Sequence, residues 1–445
     1  MKLTILGGGG FRVPLVYGAL LGDRAEGRVT AVTLHDVDAH RLDAVARVLA
    51  EQAAGHPDAP RVSVTRDLDE AVRGADFVFS AIRVGGLEGR AADERIALAE
   101  GVLGQETVGA GGIAYGLRTV PVAAAIARRI AELAPDAWVI NFTNPAGLVT
   151  EAMSRVLGDR VIGICDSPVG LGRRVAKALG ADPATAWTDY VGLNHLGWLR
   201  GLRVGGRDRL PDLLADSEAL GSFEEGRLFG PDWLRSLGAI PNEYLHYYYF
   251  NRETVRAHQE AQQTRGAFLL AQQAGFYEEM KRPGTPALAA WRRTLAEREA
   301  TYMAANREAA GAGERDAEPG GYEQVALALM RAVARDERTT LILNVRNRGT
   351  LSVLDADAVI EVPCFVDANG AHPVAVDPLP HHATGLVTAV KAVEREVLAA
   401  AGSGSLSHAV TAFALHPLVD SVPAARRLAD AYRATHAGLA YLRRP

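Results

Sequence analysis

The stretch KLTILGGGGFRVPLVYGALL, residues 2–21, decides the fold of this chain. It joins a short β-prone run, four consecutive glycines and apolar side chains at helical spacing. Glycines let the backbone approach a pyrophosphate closely, and the N-terminus of the following helix offers N–H groups to it. The stretch therefore predicts a strand–turn–helix unit that binds a dinucleotide through Gly7, Gly8, Gly9, Gly10 and Phe11.

The next β-prone run, VTAVTLHD at residues 29–36, ends in an acidic residue. An acid at this place binds the ribose hydroxyls of a dinucleotide and favours NAD over NADP. Asp36 lies 29 residues after Gly7, against a usual spacing of about 20, and Arg12 stands where a third glycine is usual. The glycines alone would equally fit a flexible turn after an edge strand. The surrounding strands, helix and acid favour the NAD site.

Strands and helices continue to alternate beyond this unit. A helix is predicted at 120–134, and β-prone runs occur at 61–65, 76–82, 137–142 and 161–165. This alternation predicts the α/β class, with a Rossmann-like doubly wound sheet followed by a mixed α+β substrate domain, as in lactate and malate dehydrogenases.

We place the NAD-binding Rossmann domain at residues 1–170 and the α+β substrate and metal domain at 171–445. Within the second domain, residues 251–310 predict two long helices that are broken at 282–286. The glycine-rich segment 311–321 predicts a mobile loop.

Composition excludes several classes of protein. The 445 residues are 48% hydrophobic and 23% charged, which excludes a disordered chain and a fibrous repeat. The net charge of −5 and the absence of a basic patch argue against a nucleic-acid partner. The chain shows no uncharged apolar run of about 20 residues and no signal-peptide pattern, so we expect a cytoplasmic protein without a membrane partner.

Polar residues follow three of the predicted strands. Arg83 and Arg90 come after the fourth strand, Asn144 after the fifth, and Cys165 with Asp166 after the sixth. Each cluster alone would fit an ordinary turn. Because ligands of such sheets bind at the carboxyl ends of the strands, three clusters at one edge indicate a binding site.

Two further features lie in the second half of the chain. His195, in GLNHLGW, fits either a hydrogen-bonded core histidine or a metal ligand that pairs with Cys165. The segment PNEYLHYYYF at 241–250 fits a buried aromatic helix, although a phenol beside a cation can also act as a base. Arg265, on the amphipathic run that follows, fits an exposed helix charge or a ligand of an anion or sugar hydroxyl.

These motifs occur in one order along almost the whole chain, and in that order the chain resembles glycoside hydrolase family 4, the NAD- and divalent-metal-dependent 6-phospho-glycosidases. It looks most like the 6-phospho-β-glucosidase branch. The motifs are GGGG at 7–10, RVGGLEGRAADE at 83–94, GQETVGAGGIAYGLRTVP at 104–121, INFTNPAGLVTEA at 140–152, GICDSP at 163–168, GLNHLGW at 192–198, PNEYLHYYYF at 241–250, NVRNRG at 344–349 and ALHPLV at 414–419.

The resemblance implies a redox hydrolysis of phosphorylated β-glucosides such as cellobiose 6-phosphate, an exception to the usual two-carboxylate scheme. In this family NAD takes a hydride from C3 of the sugar. A metal, usually manganese, and the resulting ketone acidify the proton on C2. A tyrosine removes that proton, the aglycone leaves by elimination, and water adds before the hydride returns.

The resemblance also implies a role for each matching residue. Cys165 and His195 match the metal ligands, and Tyr244 matches the C2 base, with Tyr247 and Tyr248 as alternatives. The remaining matches are Arg90, Asn144 and Arg265 for substrate, and Gly7, Gly8, Gly9, Gly10, Phe11, Asp36 and Arg83 for NAD.

Asp166 departs from the β-specific pattern. β-Specific members have Asn after the metal-binding Cys, whereas α-specific members have Asp, which protonates the leaving oxygen. A 6-phospho-α-glucosidase therefore stays an alternative. More distant alternatives are a 2-hydroxyacid dehydrogenase, with net NADH production, and a non-catalytic NAD sensor. We expect a homodimer or homotetramer, and we expect Cys364 to lie in the core.

Overall fold

A computed structural model describes residues 1–302, 307–308, 311, 316 and 321–444 of the chain. Residues 312–315 and 317–320 of the predicted mobile loop at 311–321 lie outside the described residues.

The first six strands form the parallel half of a sheet. They are β1 (Lys2–Leu6), β2 (Ala31–His35), β3 (Arg61–Thr65), β4 (Phe77–Ser80), β5 (Trp138–Asn141) and β6 (Val161–Gly163). Their spatial order is β3-β2-β1-β4-β5-β6, which is the order of a dinucleotide-binding fold. Most central positions of these strands are apolar and buried, as expected of strands covered on both faces by helices.

The strands of the second half extend the same sheet in antiparallel fashion. They are β7 (Trp187–Leu193), β8 (Leu196–Val204), β9 (Arg207–Asp208), β10 (Ile240–Pro241), β11 (Thr339–Arg346), β12 (Val359–Asp367) and β13 (Gly370–Pro373). The junction is the pairing of β11 with β6, after which β12, β7, β8 and β10 follow in order. The sheet is thus continuous across residue 170, and the domain division at that residue stays a prediction.

Helices cover both faces of the parallel strands and connect most of the strands of the sheet. The α-helices are α1 (Val13–Leu21), α2 (Ala39–Ala53), α3 (Leu68–Val72), α4 (Gly86–Ala99), α5 (Gly109–Leu133), α6 (Ala146–Leu157), α7 (Ser167–Ala178), α8 (Leu210–Ala215), α9 (Ser217–Gly221), α10 (Glu224–Phe229), α11 (Pro231–Leu237), α12 (His246–Tyr249), α13 (Asn251–Glu260), α14 (Arg265–Glu279), α15 (Ala287–Ala300), α16 (Tyr322–Arg335), α17 (His381–Ser403), α18 (Leu406–Leu415) and α19 (Val422–Thr435). Single 3₁₀ turns lie at Gly158–Arg160, Glu243–Leu245 and Ala437–Leu439.

Two helix predictions are wrong in their bounds. The helix predicted at 120–134 begins at Gly109 and includes Pro121, because residues 109–120 are all buried and tertiary packing outweighs their poor helix propensity. The described residues of the region 251–310 form α13, α14 and α15 rather than two helices, although the predicted break at 282–286 is confirmed. Helix α5 is long and apolar enough to cross a membrane, but 78% of its most apolar window is buried, as in a core helix.

The carboxyl edge of the parallel strands carries the predicted polar clusters. Asp36 directly follows β2, Arg83 follows β4 by three residues and Cys165 follows β6 by two. Cys364 lies on β12 and is fully buried, which confirms its predicted place in the core. Both cysteines are free.

Candidate active site

A cavity of about 1600 Å³ opens at this edge of the sheet. Every predicted site residue except Gly8 lines the cavity. Gly8 lies behind the lining residues, because its backbone N–H donates to His35 O and a Cβ there would lie 2.7 Å from Leu34 Cβ, and its place in the NAD site stays a prediction. Gly8 therefore packs against β2 and connects the glycine loop to that strand.

The glycine loop and Asp36 form one hydrogen-bonded unit. The N–H of Gly9 donates to Asp36 Oδ2 over 3.0 Å, and the N–H of Asp38 donates to Asp36 Oδ1 over 3.1 Å. A Cβ at Gly7 would come within 2.5 Å of Ala81 O, directly after β4. Only a glycine at this position therefore lets the loop lie so close to the end of β4. This is the close backbone cradle that a pyrophosphate and a ribose require.

Three aromatic side chains from the second half of the chain hold the carbonyl groups of the same loop. Tyr277 Oη donates to Gly9 O over 2.7 Å, Trp291 Nε1 to Phe11 O over 2.8 Å and Tyr322 Oη to Arg12 O over 2.8 Å. These side chains come from α14, α15 and α16. Their hydrogen bonds therefore attach the loop to helices of the second half of the chain.

Phe11 reaches the cavity wall mainly as a packing residue. Its ring is 4% exposed and meets the ring of Phe276 edge to face at 5.3 Å and that of Trp291 at 6.3 Å.

Cys165 and His195 line the cavity from two different strand ends. His195 lies in the tight turn between β7 and β8 and has a left-handed backbone, with φ of 60°. Burial lowers the pKa of His195 to about 4, so the imidazole is neutral at physiological pH. Burial raises the pKa of the Cys165 thiol well above its usual value, and the carboxylates of Glu361 and Asp166 raise it further.

The two side chains fit a divalent cation. Thr107 Oγ1 lies 2.8 Å from His195 Nδ1, so that a proton on Nδ1 leaves Nε2 as the metal-binding nitrogen. Cys165 would bind as a thiolate, with its proton displaced by the cation. Within the described part of the chain, no group of three or more His, Cys, Asp or Glu side chains converges. Cys165 and His195 would thus be two protein ligands of such a cation.

Tyr244 lies beside this pair of ligands. Its ring stacks on the His195 imidazole at a centroid distance of 3.7 Å, and its hydroxyl lies 3.1 Å from the hydroxyl of Tyr302. Burial and the neighbouring Tyr302 raise the pKa of Tyr244 well above its usual value. A cation near the phenol is the kind of neighbour that would lower this pKa and make the side chain a usable base.

The two alternative tyrosines lie differently. Tyr247 lines the cavity, whereas Tyr248 packs against His416 at a ring distance of 6.0 Å and does not line it. The stacking on His195 therefore distinguishes Tyr244 among the tyrosines of this segment.

Arginines also line the cavity, and two of them meet at Glu106. Arg90 Nε donates to Glu94 Oε1 over 2.8 Å, and both Arg90 and Arg83 form ion pairs with Glu106. Burial alone would raise the pKa of Glu106, but the two guanidinium groups lower it to about 2. Glu106 was not predicted as a site residue, although it lies in the motif GQETVG.

Arg265 is the first residue of α14, which follows α13 and the turn that bears Tyr244. Its guanidinium donates to Arg298 O over 2.9 Å and to Thr301 Oγ1 over 2.5 Å. Burial and the nearby Arg90 lower the pKa of Arg265 to about 10, and burial and the nearby Arg12 and Arg265 lower that of Arg298 to about 9. Both side chains stay cationic at neutral pH, and their crowding favours an anionic ligand.

Asn144 and Asp166 complete the site. Asn144 Oδ1 is buried and finds no hydrogen-bond partner among the residues that the structure describes, which leaves an acceptor for a ligand in the cavity. Asp166 Oδ2 lies 3.4 Å from Arg12 Nη2, and the Arg12 guanidinium lies over the Tyr322 ring at 4.3 Å. Arg12, which replaces the third glycine, thus joins the nucleotide loop to the residue after Cys165.

Family models match both halves of the chain. The model of family 4 glycosyl hydrolases matches residues 2–181, and the model of their C-terminal domain matches residues 190–419. The fold is also similar to that of a lactate dehydrogenase from a deep-sea metagenome library, with a TM-score of 0.54 and 14% identity over 90% of this chain and 98% of that one. The predicted fold class is thereby confirmed.

Relatives of both anomeric specificities match over nearly full length. A probable 6-phospho-β-glucosidase of Bacillus subtilis is 33% identical over 98% of this chain and 96% of its own. A 6-phospho-α-glucosidase of Leptotrichia buccalis is 30% identical over 96% of each chain. The 6-phospho-β-glucosidase of Thermotoga maritima, solved with manganese, NAD⁺ and glucose 6-phosphate, has a TM-score of 0.82 and 26% identity over 98% of each chain. The chain belongs to family 4 of the glycosyl hydrolases.

Proposed function

We propose that this enzyme is a 6-phospho-β-glucosidase that uses NAD and manganese to hydrolyse phosphorylated β-glucosides such as cellobiose 6-phosphate. One observation carries the proposal. A single cavity is lined at once by the glycine loop with Asp36, by Cys165 and His195, and by Tyr244. A dinucleotide, a cation, a base and a sugar can meet only where these groups share one space.

The arginine side chains that line the cavity support a phosphorylated substrate. Arg265 and Arg298 are half-buried cations whose pKa values are lowered by desolvation and by neighbouring arginines, so a phosphate among them would relieve their mutual repulsion. Arg90 is bound by Glu94 and Glu106 and presents a fixed guanidinium to the cavity. Asn144 Oδ1 offers an acceptor for a sugar hydroxyl.

The residues of the chain divide the chemistry among themselves. When bound, NAD supplies reversible hydride acceptance and the divalent cation supplies electrophilic polarisation of sugar oxygens. Cys165 and His195 hold the cation, and the loop with Asp36 holds the dinucleotide. Tyr244, as the phenolate that a neighbouring cation would stabilise, takes the proton from C2 of the sugar and becomes the neutral phenol, and the Tyr302 hydroxyl shares a hydrogen bond with its oxygen. The ring stack on His195 keeps this base beside the cation.

Asp166 favours a second candidate, a 6-phospho-α-glucosidase. Its carboxyl group lies at the start of α7, next to Cys165, and lines the cavity. A carboxylic acid at this place could protonate a leaving oxygen. Arg12 Nη2 lies 3.4 Å from Asp166 Oδ2, and this ion pair engages the carboxyl group with the glycine loop rather than with a leaving oxygen, which supports the β assignment.

A panel of chromogenic substrates tests the proposal. The enzyme is incubated with NAD⁺, Mn²⁺ and 4-nitrophenyl 6-phospho-β-glucoside, in parallel with the α-anomer and both unphosphorylated glucosides. We expect nitrophenol release from the phosphorylated β-anomer without net NADH. Preferential cleavage of the α-anomer would support the second candidate, and net NADH without cleavage would support a dehydrogenase and overturn both.

A further inference from the structure

Glu361 is a buried carboxylate that none of the chemistry above uses. It lies on β12, its side chain is fully buried, and among the described residues it forms no ion pair with Lys or Arg. Its oxygens instead accept three hydrogen bonds. Asn344 Nδ2 and Asn194 Nδ2 donate to Oε1 over 2.8 and 3.2 Å, and Tyr190 Oη donates to Oε2 over 3.3 Å.

The position of Glu361 in the sheet links the two strand ends that carry the metal ligands. On one side it pairs with Asn344, which in turn pairs with Gly163 on β6. On the other side it pairs with Gly192 on β7. One row of residues therefore crosses four strands, from a point two residues before Cys165 to a point three residues before His195.

Each end of this row is held to the segment that carries a proposed metal ligand. A Cβ at Gly163 would lie 2.8 Å from Asn344 Cβ. The glycine therefore lets Asn344 pack closely against the strand that leads to Cys165. At the other end, Asn194 immediately precedes His195, whose left-handed backbone is uncommon for a residue other than glycine. The bond from Asn194 to Glu361 anchors this turn to the sheet.

We propose that Glu361 is a positioning residue for the metal site: by accepting from Asn194 and Asn344 it sets the separation of Cys165 and His195. The inference rests on the metal site proposed above. Outer partners that orient metal ligands change metal affinity when they are removed, by about 10- to 100-fold. A carboxylate used here for its hydrogen bonds should be replaceable by an amide that keeps the Oε1 acceptor.

The test compares Glu361→Gln with Glu361→Leu. Mn²⁺ affinity is measured on the NAD-free protein from the paramagnetic resonance signal of unbound Mn²⁺. Ligand geometry is measured from the absorption bands of added Co²⁺. We expect Glu361→Leu to bind Mn²⁺ at least about ten-fold more weakly, with shifted Co²⁺ bands. Because Glu361→Gln keeps the acceptor for both asparagines, it should stay within about three-fold of wild type in Mn²⁺ affinity, with unshifted bands.

Two further variants keep the test decisive. Asn194→Ala removes only the anchoring amide and should weaken Mn²⁺ binding about as much as Glu361→Leu, which covers the case in which the leucine variant does not fold. Asp23→Asn breaks the ion pairs of the buried Asp23 with Arg335 and, at 3.3 Å, with Arg331, and should lower thermal stability while leaving Mn²⁺ affinity unchanged.

Different results would overturn the positioning role of Glu361 and the proposed metal site. Wild-type Mn²⁺ affinity in both Glu361→Leu and Asn194→Ala would overturn the positioning role, and so would equal weakening in Glu361→Gln and Glu361→Leu, which would indicate a role for charge. Unchanged Mn²⁺ affinity in Cys165→Ser would overturn the metal site itself and the positioning role with it.

Discussion

The phenol ring of Tyr244 lies flat on the imidazole of His195, with ring centroids 3.7 Å apart and planes 3° from parallel. The stack joins the proposed base to a proposed metal ligand, so that any cation bound by His195 lies beside the phenol. Burial raises the pKa of Tyr244, and the base therefore depends on that cation.

Tyr244→Phe keeps the stacked ring and removes only the hydroxyl. We expect the turnover number to fall by a factor of about 100 or more, the usual contribution of a general base, with little change in KM or in Mn²⁺ affinity. Steady-state kinetics on the phosphorylated aryl glucoside measures the effect. Tyr249→Phe is the matched control, because the Tyr249 hydroxyl accepts from Trp198 Nε1 over 3.0 Å, away from the cavity. Full activity of Tyr244→Phe would refute the assignment of the base.

Asp36→Ala should weaken NAD binding by about 10- to 100-fold, because a hydrogen bond to a charged group contributes about 1.5–3 kcal/mol. The variant loses both the ribose ligand and the acceptor for the Gly9 N–H. Titration calorimetry with NAD⁺ measures the change. Asp67→Ala provides the control, since Asp67 also follows a strand but caps α3. An unchanged dissociation constant for Asp36→Ala would place the ribose elsewhere.

Arg265→Lys should raise KM for the phosphorylated glucoside by about ten-fold, because an ammonium group cannot replace the planar, multidentate guanidinium. We expect little effect on the slow cleavage of the unphosphorylated glucoside. Arg47→Lys serves as the comparison, since the Arg47 guanidinium also donates to two oxygens of the protein, the backbone carbonyls of Met280 and Thr285. Equal losses on both substrates would argue against phosphate recognition by Arg265.

Glu106 makes the stability of the site depend on pH. Its pKa is about 2 in the folded chain, against an ordinary value of 4.5, so its pairing with Arg83 and Arg90 stabilises the fold fully above pH 4.5 and is lost as the pH falls toward 2. The shift corresponds to about 3 kcal/mol at neutral pH, of which roughly half is lost by pH 3. Glu106→Gln should therefore melt well below wild type at pH 7, with a smaller difference at pH 3. A difference that is independent of pH would contradict the ion-pair explanation.

The sequence predicted those parts of the molecule that depend on local signals. The unit β1–turn–α1 and Asp36 follow from glycines, apolar periodicity and a terminal acid within 36 residues. The start of α5 could not be found this way, because its glycines indicate a loop and only burial on all sides makes them helical. The beginning of α14 had a signal that was missed: Thr264, whose Oγ1 accepts from Ala267 N as a helix cap.

Within the site, single residues were easier to predict than their partners. Cys165 and His195 were predicted from motifs, but Thr107, which bonds His195, lies 88 residues before it in the chain. Glu106 and Glu361 are acids whose roles depend on which residues the sheet and helices bring to them. Cytoplasmic location and the homodimer or homotetramer stay predictions.

Hydrolysis in D₂O tests whether the glycosidic bond is broken through loss of the C2 proton. The enzyme, NAD⁺ and Mn²⁺ are incubated with 4-nitrophenyl 6-phospho-β-glucoside in D₂O, and the released glucose 6-phosphate is examined by proton NMR while NADH is followed at the same time. We predict that the product carries solvent deuterium at C2 and that no net NADH accumulates. Release of nitrophenol with a product that retains its original C2 proton would contradict the redox mechanism.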